Sequence, residues 1–118
     1  MKLSIITPAY NEEDVLHFFI ERAEKTCKSL LQDKVIQDYE IVIIDDGSTD
    51  RTWDIILENH QKTEEIKGVK FSRNFGHHSA TSAGLDYAKG DFIVYLDSDL
   101  QAQPEDIPKM LQEFLKGF

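Results

Sequence analysis

The chain has 118 residues, of which 41% are hydrophobic and 30% are charged; this composition allows one globular domain and excludes collagen-like, disulfide-rich and disordered classes. It carries 13 Lys and Arg residues against 22 Asp and Glu residues, so the formal net charge is −9, and we expect no nucleic acid as a partner because phosphate backbones need a basic surface. The single cysteine, Cys27, excludes an intrachain disulfide and a cysteine-rich zinc site, and it favours a reducing, cytoplasmic setting.

Four short hydrophobic runs predict four β-strands. They cover residues 3–7, 39–45, 68–72 and 91–97, and we expect Pro8 to end the first of them. The second and fourth runs are nearly all apolar, which predicts strands that are covered on both faces.

Segments with helical spacing of apolar residues follow each predicted strand. We expect Asn11 to cap the first helix, with acidic residues in its first turn. The second helix is predicted to begin near Asp50, the third to span residues 78–89 with Gly90 as a left-handed cap, and the fourth to open at Pro104. The side chains predicted to face the core are Leu16, Phe19, Ile20, Ala23, Cys27, Leu30 and Leu31, then Trp53, Ile56 and Leu57, then Ile107, Met110, Leu111 and Phe114.

This alternation of strands and helices predicts an α/β fold with a mostly parallel, doubly wound sheet. In such sheets, ligands bind beyond the carboxyl ends of the strands. The polar segments that follow the four predicted strands, residues 8–12, 45–50, 73–78 and 97–101, should therefore share one edge of the sheet. That edge collects several carboxylates, an arginine and an exposed aromatic side chain.

A cluster of carboxylates is costly unless a cation neutralises it, and a divalent metal ion is the simplest partner. Asp97 and Asp99 are two residues apart, and Gln101 offers a further oxygen. An all-oxygen set suits Mg²⁺ or Mn²⁺ better than zinc. A metal held by one or two carboxylates usually completes its shell with water and substrate phosphates, which points to a diphosphate-bearing substrate.

Each of these features also has a plainer interpretation. Two aspartates separated by one residue are common in solvated loops. Asp46-Gly47 is a turn signal, and Ser48 or Asp50 could merely cap the next helix. Tyr10 could cover the first helix, and Arg73 could form an ordinary surface ion pair or contact a phosphate.

His77 and His78 are adjacent, so they cannot form a metal pair on one helix face, and we interpret them as loop or helix-start residues. Cys27 lies on the apolar stripe of the first helix and is interpreted as a small core residue. The chain has neither a Gly-x-Gly-x-x-Gly loop after its first strand nor a Walker-type loop, so the usual dinucleotide and P-loop sites lack their motifs.

Several motifs, in this order, resemble the family 2 inverting glycosyltransferases with a GT-A fold: SIITPAYNE at 4–12, IDDGSTD at 44–50 and DSD at 97–99. The segments SRNFGH at 72–77 and DSDLQ at 97–101 are similar to the polyprenyl-phosphate branch of that family, which includes dolichyl-phosphate mannosyltransferase and bacterial undecaprenyl-phosphate glycosyltransferases. The resemblance extends over residues 3–115. We expect the nucleotide-binding half of a GT-A fold, with strand order 3-2-1-4.

The resemblance also implies a role for each motif. The loop at residues 8–12 and Asp46 would hold the nucleoside, with Tyr10 against the base and Asp46 accepting from the imide edge of the base. Asp45 would support that loop. Asp97 would face the ribose or the metal shell. The residues predicted to bind the nucleotide are Pro8, Ala9, Tyr10, Asn11, Glu12, Asp45, Asp46, Arg73, Asp97 and Ser98, and the predicted metal ligands are Asp97, Asp99 and Gln101.

The function implied by the resemblance is metal-dependent transfer of a sugar from a nucleoside-diphosphate sugar to a lipid-phosphate or glycan acceptor, with a polyprenyl phosphate favoured, at the cytoplasmic face of the membrane. Catalytic domains of this family continue beyond the point where this chain stops. We therefore expect residues 1–118 to be the N-terminal, nucleotide-sugar-binding part, truncated at its C-terminus. The catalytic base would then lie beyond residue 118, and the chain alone would transfer no sugar.

An apolar fourth strand at the edge of the sheet, without lysine or proline to protect it, predicts self-association through that edge or marginal stability. Two other classes of small α/β protein also place acidic residues at strand ends. A phospho-acceptor signalling module would gather its acids after the first and third strands and place a lysine after a fifth. A nucleotidyltransferase would carry a glycine-rich, basic loop after its first strand. Neither pattern is present.

Overall fold

The computed structural model describes residues 1–97 and 103–117, in which strands and helices alternate as the sequence predicts. The strands are β1 (Lys2–Ala9), β2 (Asp38–Asp45), β3 (Ile66–Lys70) and β4 (Phe92–Tyr95). The helices are α1 (Leu16–Gln32), α2 (Thr52–Lys62), α3 (His77–Tyr87) and α4 (Ile107–Lys116), and a 3-10 turn, Pro104–Asp106, leads into α4. Within these ranges, none of the helices has the length and apolar character required to cross a bilayer.

The four strands form one parallel sheet in the order β3-β2-β1-β4, which confirms the predicted order and class. β1 pairs with β2 along its whole length, ending with Ala9 opposite Asp45. Its pairing with β4 is shorter and ends with Ile6 opposite Tyr95. The reversal of strand order therefore falls between β1 and β4, the position at which α/β sheets usually bind ligands.

Apolar side chains are buried on both faces of this sheet. The larger core lies against α1, α2 and α4, and the smaller core lies beneath α3. The smaller core joins Ile6, Val42, Ile44 and Ala80. Cys27 is fully buried in the larger core, as predicted, and burial raises the pKa of its thiol to about 12, which makes it unreactive.

Most of the side chains predicted to face the core do so, with two exceptions. Leu57 is 41% exposed and Phe114 is 38% exposed. In α2 the buried positions are Ile56, as predicted, and Thr52, which was not predicted. In α4 they are Ile107 and Leu111, both as predicted.

β1 continues through Pro8, so the prediction that this proline ends the strand is wrong. Successive residues of a strand direct their peptide groups to opposite sides. Ile6 accepts a hydrogen bond from the N–H of Leu96 beyond β4, whereas the Ala9 carbonyl accepts one from the residue that follows β2, both at 2.9 Å. Pro8 therefore faces the β4 side, where pairing has already ended, and its missing N–H removes no bond to β2.

The first helix begins at Leu16, and Asn11 does not cap it as predicted. The backbone of Asn11 is left-handed, with φ of 51°. A turn follows, in which the Glu12 carbonyl accepts from the N–H groups of Val15 and Leu16 at 3.1 and 2.9 Å. The acidic residues predicted for the first turn of α1 therefore lie before the helix.

Gly90 is not in the left-handed region, so the predicted glycine cap of α3 is also wrong. A Cβ atom at Gly90 would lie 2.5 Å from the Ser4 Oγ atom and 2.9 Å from the Lys2 carbonyl oxygen. This glycine instead allows the chain that enters β4 to approach β1 closely.

A buried carboxylate joins three segments at the amino end of the sheet. Glu40 accepts hydrogen bonds from the Ser4 hydroxyl at 2.6 Å, the Lys89 N–H at 2.7 Å and the Lys67 ammonium at 3.0 Å. Burial alone would raise the pKa of Glu40, but the hydrogen bonds from Lys89, Ser4 and Lys67 outweigh it and hold the pKa below its usual value of 4.5. The network ties β1, β2, β3 and the chain after α3 together.

β4 is the edge strand of the sheet in the part of the chain that the structure describes. The prediction that it is covered on both faces is wrong for Ile93, which is 39% exposed. The reason is that α3 packs mainly on β1 and β2. β4 thus combines an open hydrogen-bonding edge with an exposed apolar side chain.

Such an edge recruits other strands, and we expect the chain to self-associate through β4. Light scattering should show a dimer or a larger species whose fraction rises with concentration. Ile93→Lys places a charge on the exposed position and should shift the equilibrium toward monomer. A parent chain that stays monomeric at high concentration would contradict this prediction.

Candidate functional site

The loops that follow β1 and β2 are fastened to each other by side chain to backbone hydrogen bonds. The N–H of Asn11 donates to the Ser48 hydroxyl at 2.9 Å, and the Asn11 side-chain oxygen accepts from the Thr49 N–H at 2.8 Å. The next amide continues the pattern, since the Glu12 N–H donates to the Thr52 hydroxyl at 2.9 Å. Asn11 thus holds two loops together instead of capping a helix.

Asp50 completes this contact at the entrance to α2. Its carboxylate accepts from the Glu13 N–H at 3.2 Å and from the Thr52 N–H at 2.9 Å. Burial would raise the pKa of Asp50, but the hydrogen bonds from the Thr52 hydroxyl and these backbone groups outweigh it and lower the pKa. Asp50 therefore remains charged and fixes the two loops.

Asp45 is the last residue of β2 and Asp46 follows it. Both side chains are buried, with 0% and 5% exposure. Asp45 Oδ1 accepts from the Ser48 N–H at 3.1 Å, a contact within the loop that follows β2. Its other oxygen, Oδ2, is buried and has no hydrogen-bond partner among the described residues. A buried carboxylate oxygen of this kind lacks a hydrogen-bond donor that buried polar atoms ordinarily have.

Asp46 holds the loop that follows β3. Its two carboxylate oxygens accept from the N–H groups of Phe75 at 2.8 Å and Gly76 at 3.1 Å. Gly47, with φ of +75°, lies directly against the same loop, because a Cβ atom there would be 2.2 Å from the Arg73 carbonyl carbon and 2.4 Å from the Asn74 nitrogen. The second and third polar segments are therefore in backbone contact.

Tyr10 and Arg73 present exposed side chains at this edge. Tyr10 is 46% exposed. The Arg73 guanidinium lies over the Phe75 ring at 4.6 Å from the ring centre, a cation–π contact that leaves the charge accessible. Both side chains are therefore available to a ligand.

Asp97 follows β4, where its carboxylate accepts a hydrogen bond from the Tyr95 hydroxyl at 3.1 Å. The same hydroxyl is hydrogen-bonded to Nε2 of His77, the first residue of α3. The two rings meet edge to face, with centres 5.8 Å apart. His77, which the sequence assigned no role beyond starting a helix, thus reaches the site through Tyr95.

The structure brings the first three polar segments and Asp97 to the carboxyl edge of one sheet. The predicted residues Ser98, Asp99 and Gln101 lie outside the described residues. Among the residues that are described, no group of three or more His, Cys, Asp or Glu side chains is arranged to hold a metal ion. The predicted metal set therefore remains a prediction, with only Asp97 located.

The chemistry of the located residues fits a divalent cation. Within residues 1–97 and 103–117, Asp45, Asp46 and Asp97 form no ion pair with Lys or Arg. Their neighbours are instead backbone N–H groups and a hydroxyl. Oxygen ligands and uncompensated negative charge are what Mg²⁺ and Mn²⁺ require.

The contribution of Tyr95 was missed from the sequence, although a signal was present. Side chains two residues apart in an extended segment lie on the same face, so the spacing of Tyr95 and Asp97 indicated a possible contact between them. The contribution of His77 had no such signal, because it depends on how α3 meets the end of β4.

The family model described as "Glycosyl transferase family 2" matches residues 4–118. Among curated proteins, an undecaprenyl-phosphate 4-deoxy-4-formamido-L-arabinose transferase of Photorhabdus laumondii is 38% identical over 118 residues, which cover 99% of this chain and 35% of that protein. The chain thus spans about a third of the length of the curated relative.

Two solved structures share the fold. S. aureus TarS 1-349 in complex with UDP-GlcNAc aligns with a TM-score of 0.65 and 27% identity, over 99% of this chain and 32% of that chain. The mannosyltransferase PcManGT from Pyrobaculum calidifontis, in complex with GDP-Man and Mn²⁺, aligns with a TM-score of 0.72 and 22% identity, over 89% of this chain and 30% of that chain. The second likeness concerns the fold alone.

Proposed function

The chain belongs to glycosyl transferase family 2, and we propose that its carboxyl edge binds the nucleoside diphosphate of a sugar donor. The signalling-module and nucleotidyltransferase alternatives do not account for the family match over residues 4–118. The proposal concerns the donor half of the reaction, because the chain spans only about a third of its curated relative.

One observation carries the proposal. Three aspartates lie at the carboxyl ends of β2 and β4 and, in the described ranges, none is paired with Lys or Arg. Uncompensated carboxylates at a strand edge favour a divalent cation, and a cation held by few protein ligands favours a substrate diphosphate. A diphosphate would therefore bind through the metal, which explains how an acidic chain can hold an anionic donor.

The exposed groups at the edge supply the remaining contacts. Tyr10 offers an aromatic face for the nucleobase, and the accessible guanidinium of Arg73 suits a phosphate. Asp45 Oδ2, buried without a partner among the described residues, would accept from a nucleoside N–H or hydroxyl group. Asp46 would orient the nucleoside while it holds the 73–76 loop.

Asp97, Asp99 and Gln101 would hold Mg²⁺ or Mn²⁺. When bound, the ion would supply electrostatic stabilisation of the departing nucleoside diphosphate. The chain's own residues contribute binding and orientation: Asp97 is held by Tyr95, and the loops that cradle the nucleoside are held by Asn11 and Asp46.

For the acceptor we propose a polyprenyl phosphate, and for the place of action the cytoplasmic face of the membrane. The support is the curated relative, whose name assigns it transfer to undecaprenyl phosphate. This proposal concerns the whole enzyme, and the acceptor groups and the catalytic base are not assigned to residues of this chain.

Calorimetric titration with UDP and with GDP, each with and without Mn²⁺, tests the donor site. We expect one of the two nucleotides to bind more tightly in Mn²⁺. Asp99→Asn keeps the shape of the side chain but removes its charge, and we expect it to abolish the Mn²⁺-dependent part of the binding free energy, on the order of 1–3 kcal/mol.

Asp86→Asn is the matched control, since it removes the same charge from an exposed position near the far end of α3. It should bind nucleotide as the parent does. Equal affinity of the parent and Asp99→Asn in Mn²⁺ would contradict the proposed metal site, and a parent that binds neither nucleotide would contradict the proposed function.

A further inference from the structure

Two sets of hydrogen bonds, joined by the backbone between Gly76 and His77, connect the nucleoside end of the candidate site to its metal end. The first set lies at Asp46, whose oxygens accept from the N–H groups of Phe75 and Gly76, directly before His77. The second set runs from His77 to the Tyr95 hydroxyl and from that hydroxyl to Asp97, at 3.1 Å. The two aspartates follow β2 and β4, strands that do not pair with each other.

The protons available on His77 and Tyr95 determine which group donates in each of these hydrogen bonds. A tyrosine hydroxyl has one proton, and a carboxylate can only accept, so the proton of Tyr95 points to Asp97. Nε2 of His77 must then carry a proton and donate to the Tyr95 oxygen. Both the Nε2–H form and the protonated form of the imidazole satisfy this requirement, whereas the Nδ1–H form does not.

We propose that His77 and Tyr95 are positioning residues that orient the Asp97 carboxylate and tie it to the 73–76 loop held by Asp46. The inference rests on the proposed function, because it assigns to Asp97 a role in metal and diphosphate binding. We call the hydrogen bonds from His77 to Tyr95 and from Tyr95 to Asp97 the relay. Through the relay, the loop that contacts the nucleoside and the carboxylate that faces the metal are set in position together.

The relay should affect the metal-dependent part of nucleotide binding rather than the metal-free part. With Asp97 Oδ1 engaged by the hydroxyl, rotation of the carboxylate is restricted before a cation arrives. Partners that orient a metal ligand in this way are typically worth a factor of 10 to 100 in metal affinity. Loss of the hydroxyl should therefore weaken Mn²⁺-dependent nucleotide binding and leave metal-free binding and stability nearly unchanged.

The protonation pattern of His77 gives a first test that needs no ligand. Long-range ¹H–¹⁵N correlation spectra of the chain at about pH 8 distinguish the two neutral imidazole forms, and we expect the Nε2–H form at His77. In Tyr95→Phe this preference should weaken, because the acceptor oxygen is gone. The Nδ1–H form in the parent would overturn the relay.

Nucleotide titration gives the second test. We expect Tyr95→Phe and His77→Phe, which keep a ring in place, to reduce the Mn²⁺-dependent gain in affinity about tenfold. His77→Gln retains an N–H at a similar reach and should restore most of that gain. His78→Phe, at the adjacent exposed histidine, is the matched control and should behave as the parent.

The possible failures are distinguishable. A parent that binds neither UDP nor GDP contradicts the proposed function, and the His77 spectrum then decides on the relay alone. A parent with Mn²⁺-dependent binding that Tyr95→Phe retains in full overturns the relay and leaves the proposed function standing. Equal loss of metal-free and Mn²⁺-dependent binding in Tyr95→Phe would also overturn it, since that result indicates a general structural role.

Discussion

Gly47→Ala is expected to destabilise the chain by about 4 kcal/mol and to abolish nucleotide binding. Two effects add. The backbone of Gly47 is left-handed, with φ of +75°, which costs an L-residue roughly 1–2 kcal/mol. The new Cβ atom would also overlap the Arg73 carbonyl carbon and the Asn74 nitrogen, at 2.2 and 2.4 Å. Overpacking costs about 1–3 kcal/mol or more, and backbone cannot rotate aside as a flexible side chain can.

Gly76→Ala separates the overlap from the strain. Gly76 also has positive φ, +102°, but a Cβ atom there would meet no heavy atom within 4 Å. Its cost should be strain alone, on the order of 1–3 kcal/mol. Urea denaturation followed by circular dichroism would measure both variants. Gly47→Ala matching or exceeding the stability of Gly76→Ala would refute the assigned contact between the two loops.

Glu40→Ala is expected to cost about 3–5 kcal/mol of folding free energy, because it leaves the Lys67 ammonium, the Ser4 hydroxyl and the Lys89 N–H without their buried acceptor. Since Glu40 lies at the amino end of the sheet, opposite Ser4, the fraction of molecules that fold should still bind nucleotide. Loss of binding in folded Glu40→Ala protein would contradict this separation of fold and site.

The stability contributed by Glu40 should also depend on pH in a defined direction. Its pKa is lower in the folded chain than its usual 4.5, so the charged form is the one that folding favours. That contribution is fully present above 4.5 and is lost as pH falls below 4.5 and through the folded-state pKa. In urea denaturation, the stability gap between the parent and Glu40→Gln should therefore stay constant at neutral pH and narrow as the pH falls below 4.5.

The fold class and the edge that carries the candidate site follow from hydrophobic periodicity and from the position of ligands in parallel sheets, whereas the strand order was implied by the resemblance to family 2 glycosyltransferases. Asn11 shows where this reasoning stops. Its position before an acidic run favours a helix cap, yet tertiary contacts with Ser48 and Thr49 claim its side chain and its N–H. Local preference is a weak prior when another loop offers partners.

The aspartates at the strand ends could likewise be located from the sequence, but what surrounds them could not. The N–H groups that bind Asp46 come from a loop whose conformation depends on Gly47 lying against it. The contact of Asp97 with His77 through Tyr95 depends on the approach of α3 to β4. Such relations between elements are not encoded in the spacing of residues along one of them.

Pro8 limits how far β1 and β4 can pair next to the candidate site. In a parallel ladder that continued past Ile6, the next bond would run from the amide of residue 8 to the carbonyl of Leu96. Because proline has no amide proton to donate, this hydrogen bond cannot form, and the parallel pairing of β1 with β4 cannot be extended through it. The missing N–H of Pro8 therefore ends the pairing of β1 with the β4 segment one residue before Asp97, and it leaves the two backbones unpaired beside that residue.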